Sequence, residues 1–559
     1  MKRINVRYSI SPLLINNHKT AENMKKYIIL ISGIISLSLC SLTSYSEESS
    51  KKLIVQITLD QFKSDYIKWY RPAFKYGFKR VLENGIYIKD GLVDHAITNS
   101  FPGHLTLSTG MYPNHHGFPG NEWWIERENG WGWIDGIADS NSWITGNKDR
   151  PSASPKNIYV PTISDWIKEN NPRSKAIALS TGQTISIAYG GKNSDASYWL
   201  DQPTGRFVTS SYYSDCYPKW LTDFNENELR KFKNEEWNNE IPDEYRSLAE
   251  PDASPYENFG KNFTFPHQYV NEKPETAEAT EEELYNEWFY NTPIADEALF
   301  ALAKSTIVSE KLGQNNSTDY LAIIVNSTDN IGHAFGGRSQ EILDALLRID
   351  RSLGGLLNFL DERIGKDNYV IAISGDHGAP DIIEYQQTKF NRGTRVSREQ
   401  INDLLDAVEE DAKNSNLKEE ELVFSLEKVI EKFDFVFDAV TQLEIDGKKE
   451  SKNPYIDAFR KSWVNGRIPD FPLWGDGQRN YHPARYGIVV QFNENTFFDA
   501  APVVHGSPYL YDRTVPIIFY GMGDIKMKDK VRTIDVAPTL AAIAGIKIPN
   551  NLDGKSIIY

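Results

Sequence analysis

A chain of 559 residues, 40% of them hydrophobic and 12% aromatic, carries enough apolar material for a large folded core, which excludes a wholly disordered protein. Its formal net charge of −16 argues against a nucleic-acid-binding surface. The same charge means that an anionic substrate must be met by local positive charge, which metal ions can supply.

The N-terminus is expected to be an export signal. Lys25 and Lys26 precede an apolar run from Tyr27 to Leu42, followed by Thr43-Ser44-Tyr45-Ser46 and acidic residues, with Met24 as an alternative start. The run is short for a membrane span, so residues 1–46 read as a leader and cleaved signal of a periplasmic or secreted protein with no permanent span. Lipid attachment at Cys40 is the alternative, against which stands Leu39, where a small residue is usual. Cleavage leaves Cys216 as a lone thiol, so the core must be stable without an intrachain disulfide.

Three apolar segments then end in polar residues. Leu53 to Leu59 runs into Asp60 and Gln61; Tyr320 to Val325 runs into Asn326 and on to Asp329 and His333; Tyr369 to Ser374 runs into Gly375, Asp376, His377 and Gly378. The pattern predicts buried strands, and open α/β sheets place their sites just beyond strand ends. Ile342 to Ile364 has apolar residues at helical spacing, so the last two strands should be joined by a crossover helix and open on one sheet edge. Val515 to Tyr520, after Val504-His505-Gly506, is a further strand, and Ile534 to Ala544 a closing helix. The fold class is therefore α/β with a mostly parallel sheet. Segments about 201–291 and about 382–502 break this rhythm and are expected to be cap insertions over the site edge within one catalytic domain spanning 47–559.

Thr98-Asn99-Ser100-Phe101-Pro102-Gly103-His104 places Ser100 at a predicted helix N-terminus, where a serine serves as cap, phosphate contact or nucleophile. Asp60, Asp329, His333, Asp376, His377 and His505 supply three carboxylates and three imidazoles, a donor set suited to zinc. Asp329 and His333 share a helix face at i, i+4, while the adjacent Asp376 and His377 should diverge, which could let them serve two ions. Two metal ions about 4 Å apart suit in-line displacement at phosphorus, with Ser100 as the attacking group. His104 reads as a turn residue bonded to backbone, and His115 and His116 as members of a polar loop; His95, His267 and His482 have no partner visible in sequence.

These residues, in this order, resemble the alkaline phosphatase superfamily from Leu53 to the C-terminus. The resemblance implies a three-layer sandwich with a mostly parallel central sheet and two Zn2+ ions. Asp329, His333 and His505 would hold one ion, Asp60, Asp376 and His377 the other, with Ser100 as the nucleophile bound to the second. Asn121 matches a family residue that binds a phosphoryl oxygen. Ser100 through His104 and Thr109 through Gly117 look like nucleotide pyrophosphatase/phosphodiesterases, whereas Tyr198 to Asp201, Tyr212-Tyr213 and Asp329 to His333 look closer to bacterial alkaline phosphatases with a threonine nucleophile. Those monoesterases carry Lys and Arg in a K-D-R triplet, at positions occupied here by Gly182 and Thr184. Without those cations the site should lose its differential stabilisation of a monoester dianion. The expectation is a phosphodiesterase acting on a small phosphate ester. The alternatives are a monoesterase that recruits Lys192 or Arg206, a sulfatase, against which stands His104 at the arginine position, and a decayed, non-catalytic binding protein. Trp123, Trp124, Tyr212, Tyr213 and Trp220 are read as packing residues, with stacking on a leaving group as their alternative.

Overall fold

The computed structural model describes residues 51–558 apart from 128–129, 274–278, 470–480 and 524–529, so the expected signal segment lies outside the described residues. Eight strands form the central sheet: β1 (Leu53–Leu59), β2 (Ile86–Leu92), β3 (Ala176–Ser180), β4 (Ala196–Asp201), β5 (Arg206–Val208), β6 (Asp319–Val325), β7 (Tyr369–Gly375) and β8 (Thr514–Tyr520). Their spatial order is β2-β8-β7-β1-β6-β3-β4-β5. The ladders β7-β1-β6-β3-β4 are parallel, while β8 and β5 run antiparallel to their neighbours.

Strand alternation builds the layers. Leu53, Val55, Ile57 and Leu59 of β1 join one core with α3 (Pro293–Ser309) and α5 (Gln340–Arg363). Ile54 points to the opposite core, shared with α1 (Ser100–Thr109), α2 (Gln183–Gly190) and the closing helix Val536–Ile543. The sheet is covered on both faces, which is why its central strands read as continuous apolar runs.

The two irregular segments do not behave alike. The first begins later than 201, because Arg206–Val208 still pairs with β4. Its Leu221, Trp237, Leu284 and Trp288 merge into the core under α3 and α5. The second builds a core of its own from Leu404, Leu405, Leu426, Val436 and Val490. It also grips the loop before Ser100: the backbone N–H groups of Ala96 and Ile97 donate to Ser462 Oγ at 2.8 and 3.0 Å.

A buried acidic group in the first segment gives a pH prediction. Burial and the neighbouring Glu341 charge push the Glu257 carboxyl up to about 10. Burial opposes protonation of His267, but hydrogen bonds to Glu272 and Glu341 outweigh it and raise the imidazole to about 9. Both groups keep, when folded, a proton that the unfolded chain releases near 4.5 and 6.5. Their stabilisation is therefore full in acid and lost as pH rises through the folded values. The melting temperature should fall between neutral pH and about pH 9.5, and Glu257→Gln, which mimics the protonated acid, should flatten that fall. An unchanged slope in the variant would remove Glu257 from the explanation.

Candidate active site

The register of three strands assembles the site. Leu59 pairs with Val325 on one side and Gly375 on the other, so Asp60, Asn326 and Asp376 leave the sheet side by side. Beyond β1 the chain turns at Gln61, whose φ of 59° lies in the left-handed region. That turn aims the Gln61 N–H at Asp376 Oδ1 (3.0 Å) and its amide nitrogen at Asp329 Oδ1 (2.6 Å). After β6 the chain enters α4 (Ser327–Phe335), which sets His333 Nε2 3.3 Å from Asp329 Oδ1. His505, on the loop before β8, brings its Nε2 to 3.5 Å from the same oxygen.

The second group forms at the ends of β1 and β7. His377 Nε2 lies 3.4 Å from Asp60 Oδ1 and 3.2 Å from Asp376 Oδ2. Within each trio the ligand-capable atoms lie inside 4.8 Å of one another. Asp376 and His377 do not diverge onto separate groups as their adjacency suggested; β7 has ended at Gly375, so strand alternation no longer governs them. The two trios share a wall, where the His377 and His505 rings stack with centroids 3.7 Å apart.

All three imidazoles are oriented alike. Nδ1 of His333, His377 and His505 faces the carbonyl oxygens of Val503, Gly378 and Thr98 at 2.6, 2.9 and 2.8 Å. Donation from Nδ1–H to these carbonyls leaves each Nε2 with its lone pair directed at the carboxylates, the tautomer a metal ligand requires. Asp60 Oδ1 and Asp376 Oδ2 are buried with no hydrogen-bond partner, a cost that a cation would remove. Burial and the Asp60 and Asp329 charges push the Asp376 carboxyl well above its usual range. For Asp60, burial and the Asp329 charge act upward, but the neighbouring His104 and His377 imidazoles outweigh them and hold it at about 2. The donor set and its orphaned oxygens fit two zinc ions.

Ser100 is the first residue of α1; Asn99 stands at the cap position, and neither side chain caps the helix. The hydroxyl is thus free of the capping role, and Ser100 Oγ lies 3.3 Å from His377 Nε2. Asn121 Oδ1 accepts the Phe101 N–H at 2.9 Å, which leaves its amide nitrogen without a partner among the described residues. Helix α1 packs directly against the segment that carries Asp376. A Cβ on Gly103 would sit 2.7 Å from Asp376 O, so Gly103→Ala should cost about 1–3 kcal/mol in a denaturant titration. Wild-type stability in that variant would mean the contact is looser than drawn.

Several sequence expectations are corrected. His104 bonds no backbone carbonyl; its Nε2 lies 3.2 Å from Asp60 Oδ2. His116 is buried, with Nε2 3.5 Å from Thr106 Oγ1, whereas His115 pairs with Asp553 at the surface. His267 sits between Glu272 and Glu341, and His482 Nδ1 accepts the Ala484 N–H. Trp123 and Trp124 are buried, Trp220 Nε1 donates to Glu310 and Tyr213 bonds the Gly191 carbonyl, so these four rings pack as read, whereas Tyr212, bonded to the Lys192 carbonyl, is exposed. Lys192 follows the far end of α2 from Gly182, about 12 Å along the axis. Arg206 is exposed on β5, two strands or about 10 Å from β3. Sequence reasoning missed Gln61, Tyr189, Asn326 and Thr328, the last donating to Asp60 O at 2.6 Å. Of these Gln61 and Asn326, polar residues at the ends of buried strands, gave a signal.

With this geometry established, comparison with known proteins is informative. The family model for type I phosphodiesterase / nucleotide pyrophosphatase matches residues 54–485. A protein named calcium-transporting ATPase from Myroides odoratus is 32% identical over 92% of this chain and 95% of its own length. Alkaline phosphatase PhoV from Synechococcus elongatus is 29% identical over 90% of this chain and 92% of its own. Among solved structures, that of wild-type alkaline phosphatase PafA superposes with a TM-score of 0.79 at 24% identity, covering 91% of this chain and 98% of PafA, and shows the alkaline-phosphatase-like fold.

Proposed function

Given that the chain belongs to the type I phosphodiesterase/nucleotide pyrophosphatase family and is a phosphoric ester hydrolase, we propose that it is a two-zinc phosphodiesterase acting through a covalent intermediate on Ser100. Asp329, His333 and His505 would hold one ion and Asp60, Asp376 and His377 the other. Bound zinc would supply Lewis acidity, offsetting charge on the phosphoryl oxygens and lowering the pKa of a hydroxyl held against it.

The chain's own groups carry the rest. Ser100 Oγ attacks phosphorus and gives its proton to solvent, the bond to the leaving oxygen breaks, and that oxygen takes a proton from water. Water then attacks the same phosphorus, and Ser100 recovers its proton as the product leaves. The N-terminus of α1 points its positive pole at this exchange, and the Asn121 amide nitrogen is available for a non-bridging oxygen. The three Nδ1–H···O=C bonds hold the imidazoles in place, so little reorganisation accompanies the reaction.

The observation that carries the diester reading is the absence of a cation beside Gly182. A Cβ there would meet Ile185 at 3.1 Å and Asn326 Oδ1 at 3.3 Å, so neutral groups already fill the space around it. Among the described residues, Lys63 and Arg338 are held by Asp381, and Arg513 and Lys461 by Asp94. Each of these four already faces a carboxylate, so none of them stands free to grip the third oxygen of a monoester dianion. The monoesterase reading is favoured by the near-full-length similarity to alkaline phosphatase PhoV. A monoester and a diester of one nitrophenol decide between them. The diester is expected to have the larger kcat/KM, and a monoester preference of about a hundredfold or more would overturn the proposal.

We read the chain as exported, on the strength of the Lys25 to Ser46 pattern. No helix among the described residues is long and apolar enough to cross a membrane. The inserted segments are proposed to select the leaving group, the second through its hold on the loop before Ser100.

A further inference from the structure

His104 follows Ser100 by four residues, so both side chains lie on one face of α1. The imidazole is fully buried. Its Nε2 lies 3.2 Å from Asp60 Oδ2 and 3.5 Å from Asp376 Oδ2. Its Nδ1 lies 3.3 Å from the Tyr189 hydroxyl, which in turn lies 2.7 Å from Thr58 Oγ1.

With a neutral ring, one proton arrangement fits the contacts to Asp60, Tyr189 and Thr58. A ring nitrogen 3.2 Å from the Asp60 carboxylate must carry hydrogen to bond it, so Nε2–H donates to Asp60. Nδ1 is then an acceptor and takes the Tyr189 O–H, and the Tyr189 oxygen accepts the Thr58 hydroxyl. The chain of donors runs Thr58, Tyr189, His104, Asp60, entirely out of water.

We propose that His104, set by Tyr189 and Thr58, is a positioning residue that fixes the Asp60 carboxylate with one oxygen left for a metal ion. Asp60 Oδ2 is occupied by His104, while Oδ1 is the oxygen without a hydrogen-bond partner and faces His377 Nε2 at 3.4 Å. Asp376 is treated in the same way by a different group: its Oδ1 accepts the Gln61 N–H, and Oδ2 is left bare. Each carboxylate is thereby held to a single free oxygen. No hydrogen bond or ion pair joins His104 to Asp329, His333 or His505, so its influence should be confined to one of the two ions. Groups that orient metal ligands typically contribute 10–100-fold in metal affinity.

The inference rests on the two-metal reading, and one titration separates the two. Metal-free wild-type protein, His104→Ala, His104→Gln and Tyr189→Phe are titrated with zinc against a competing chelator, and the melting of each metal-free protein is recorded. Wild type should bind two ions. His104→Ala should weaken one of them about 10–100-fold and leave the other within about twofold. His104→Gln, whose side-chain N–H can still donate to the carboxylate, should recover part of the loss, and Tyr189→Phe should weaken the same ion by a smaller factor. Should His104→Ala fail to fold, the Gln and Phe variants carry the test alone. Equal weakening of both ions, or unchanged affinity in every variant that folds, overturns the assignment. A wild-type protein that binds fewer than two ions overturns the two-metal reading and this proposal with it.

Discussion

Ser100→Ala is expected to lose at least about a thousandfold in kcat while keeping its fold and both metal ions. The fold should survive because the Ser100 hydroxyl caps nothing: Asn99 occupies the cap position, and among the described residues Ser100 Oγ is hydrogen-bonded to His377 alone. The ions should remain because the six side chains of the two trios are all still present to hold them. What the variant removes is the oxygen that forms the bond to phosphorus, and no other hydroxyl is hydrogen-bonded to a histidine of either trio. Residual hydrolysis would then come from water attacking a substrate that is still bound and polarised. Ser100→Thr should stay within about tenfold of wild type, because the hydroxyl is kept and the added methyl only restricts χ1. Full activity in Ser100→Ala would remove the nucleophile assignment.

Stripping the protein of metal is expected to abolish turnover and to lower its melting temperature, and zinc should restore both. Three carboxylates, Asp60, Asp329 and Asp376, lie together within a buried site, and the charges of Asp60 and Asp329 both push Asp376 toward its protonated form. Without cations this cluster is a store of unfavourable energy. An ion present at about a thousand times its dissociation constant stabilises the folded state by about 4 kcal/mol, so two ions should move the transition by many degrees. The loss on stripping should be larger than that of any single ligand variant, since Asp329→Asn or His377→Ala disables one trio directly. A metal-free protein that melts where the loaded one does would show that the trios hold no ion in solution.

Much of this site was legible in the sequence because its chemistry sits at strand ends. Asp60, Asp329 and Asp376 each follow an apolar run, and the register that aligns Leu59 with Val325 and Gly375 follows from three parallel strands stopping together. What escaped was everything set by contacts between distant segments. Gln61 reaches two carboxylates only because its backbone is left-handed, a conformation that glutamine does not advertise. His104 looked like a turn residue because Asp60, 44 positions earlier, and Tyr189, 85 later, become its neighbours only when α1 and α2 pack on the sheet. The first insertion was read as starting at Asp201 because a three-residue edge strand, Arg206–Val208, is too short to leave a periodicity. Asp376 and His377 were expected to diverge because they are adjacent, but adjacency separates side chains dependably only within a strand, and this one ends at Gly375.

The central claim is that hydrolysis passes through an ester of Ser100, and peptide mapping of the acid-quenched enzyme during turnover tests it most directly. The account predicts that the peptide carrying Ser100 gains the mass of the transferred phosphoryl group in the wild-type enzyme and not in Ser100→Ala. Steady turnover with the Ser100 peptide unmodified, or the same adduct on another residue in both proteins, would contradict it.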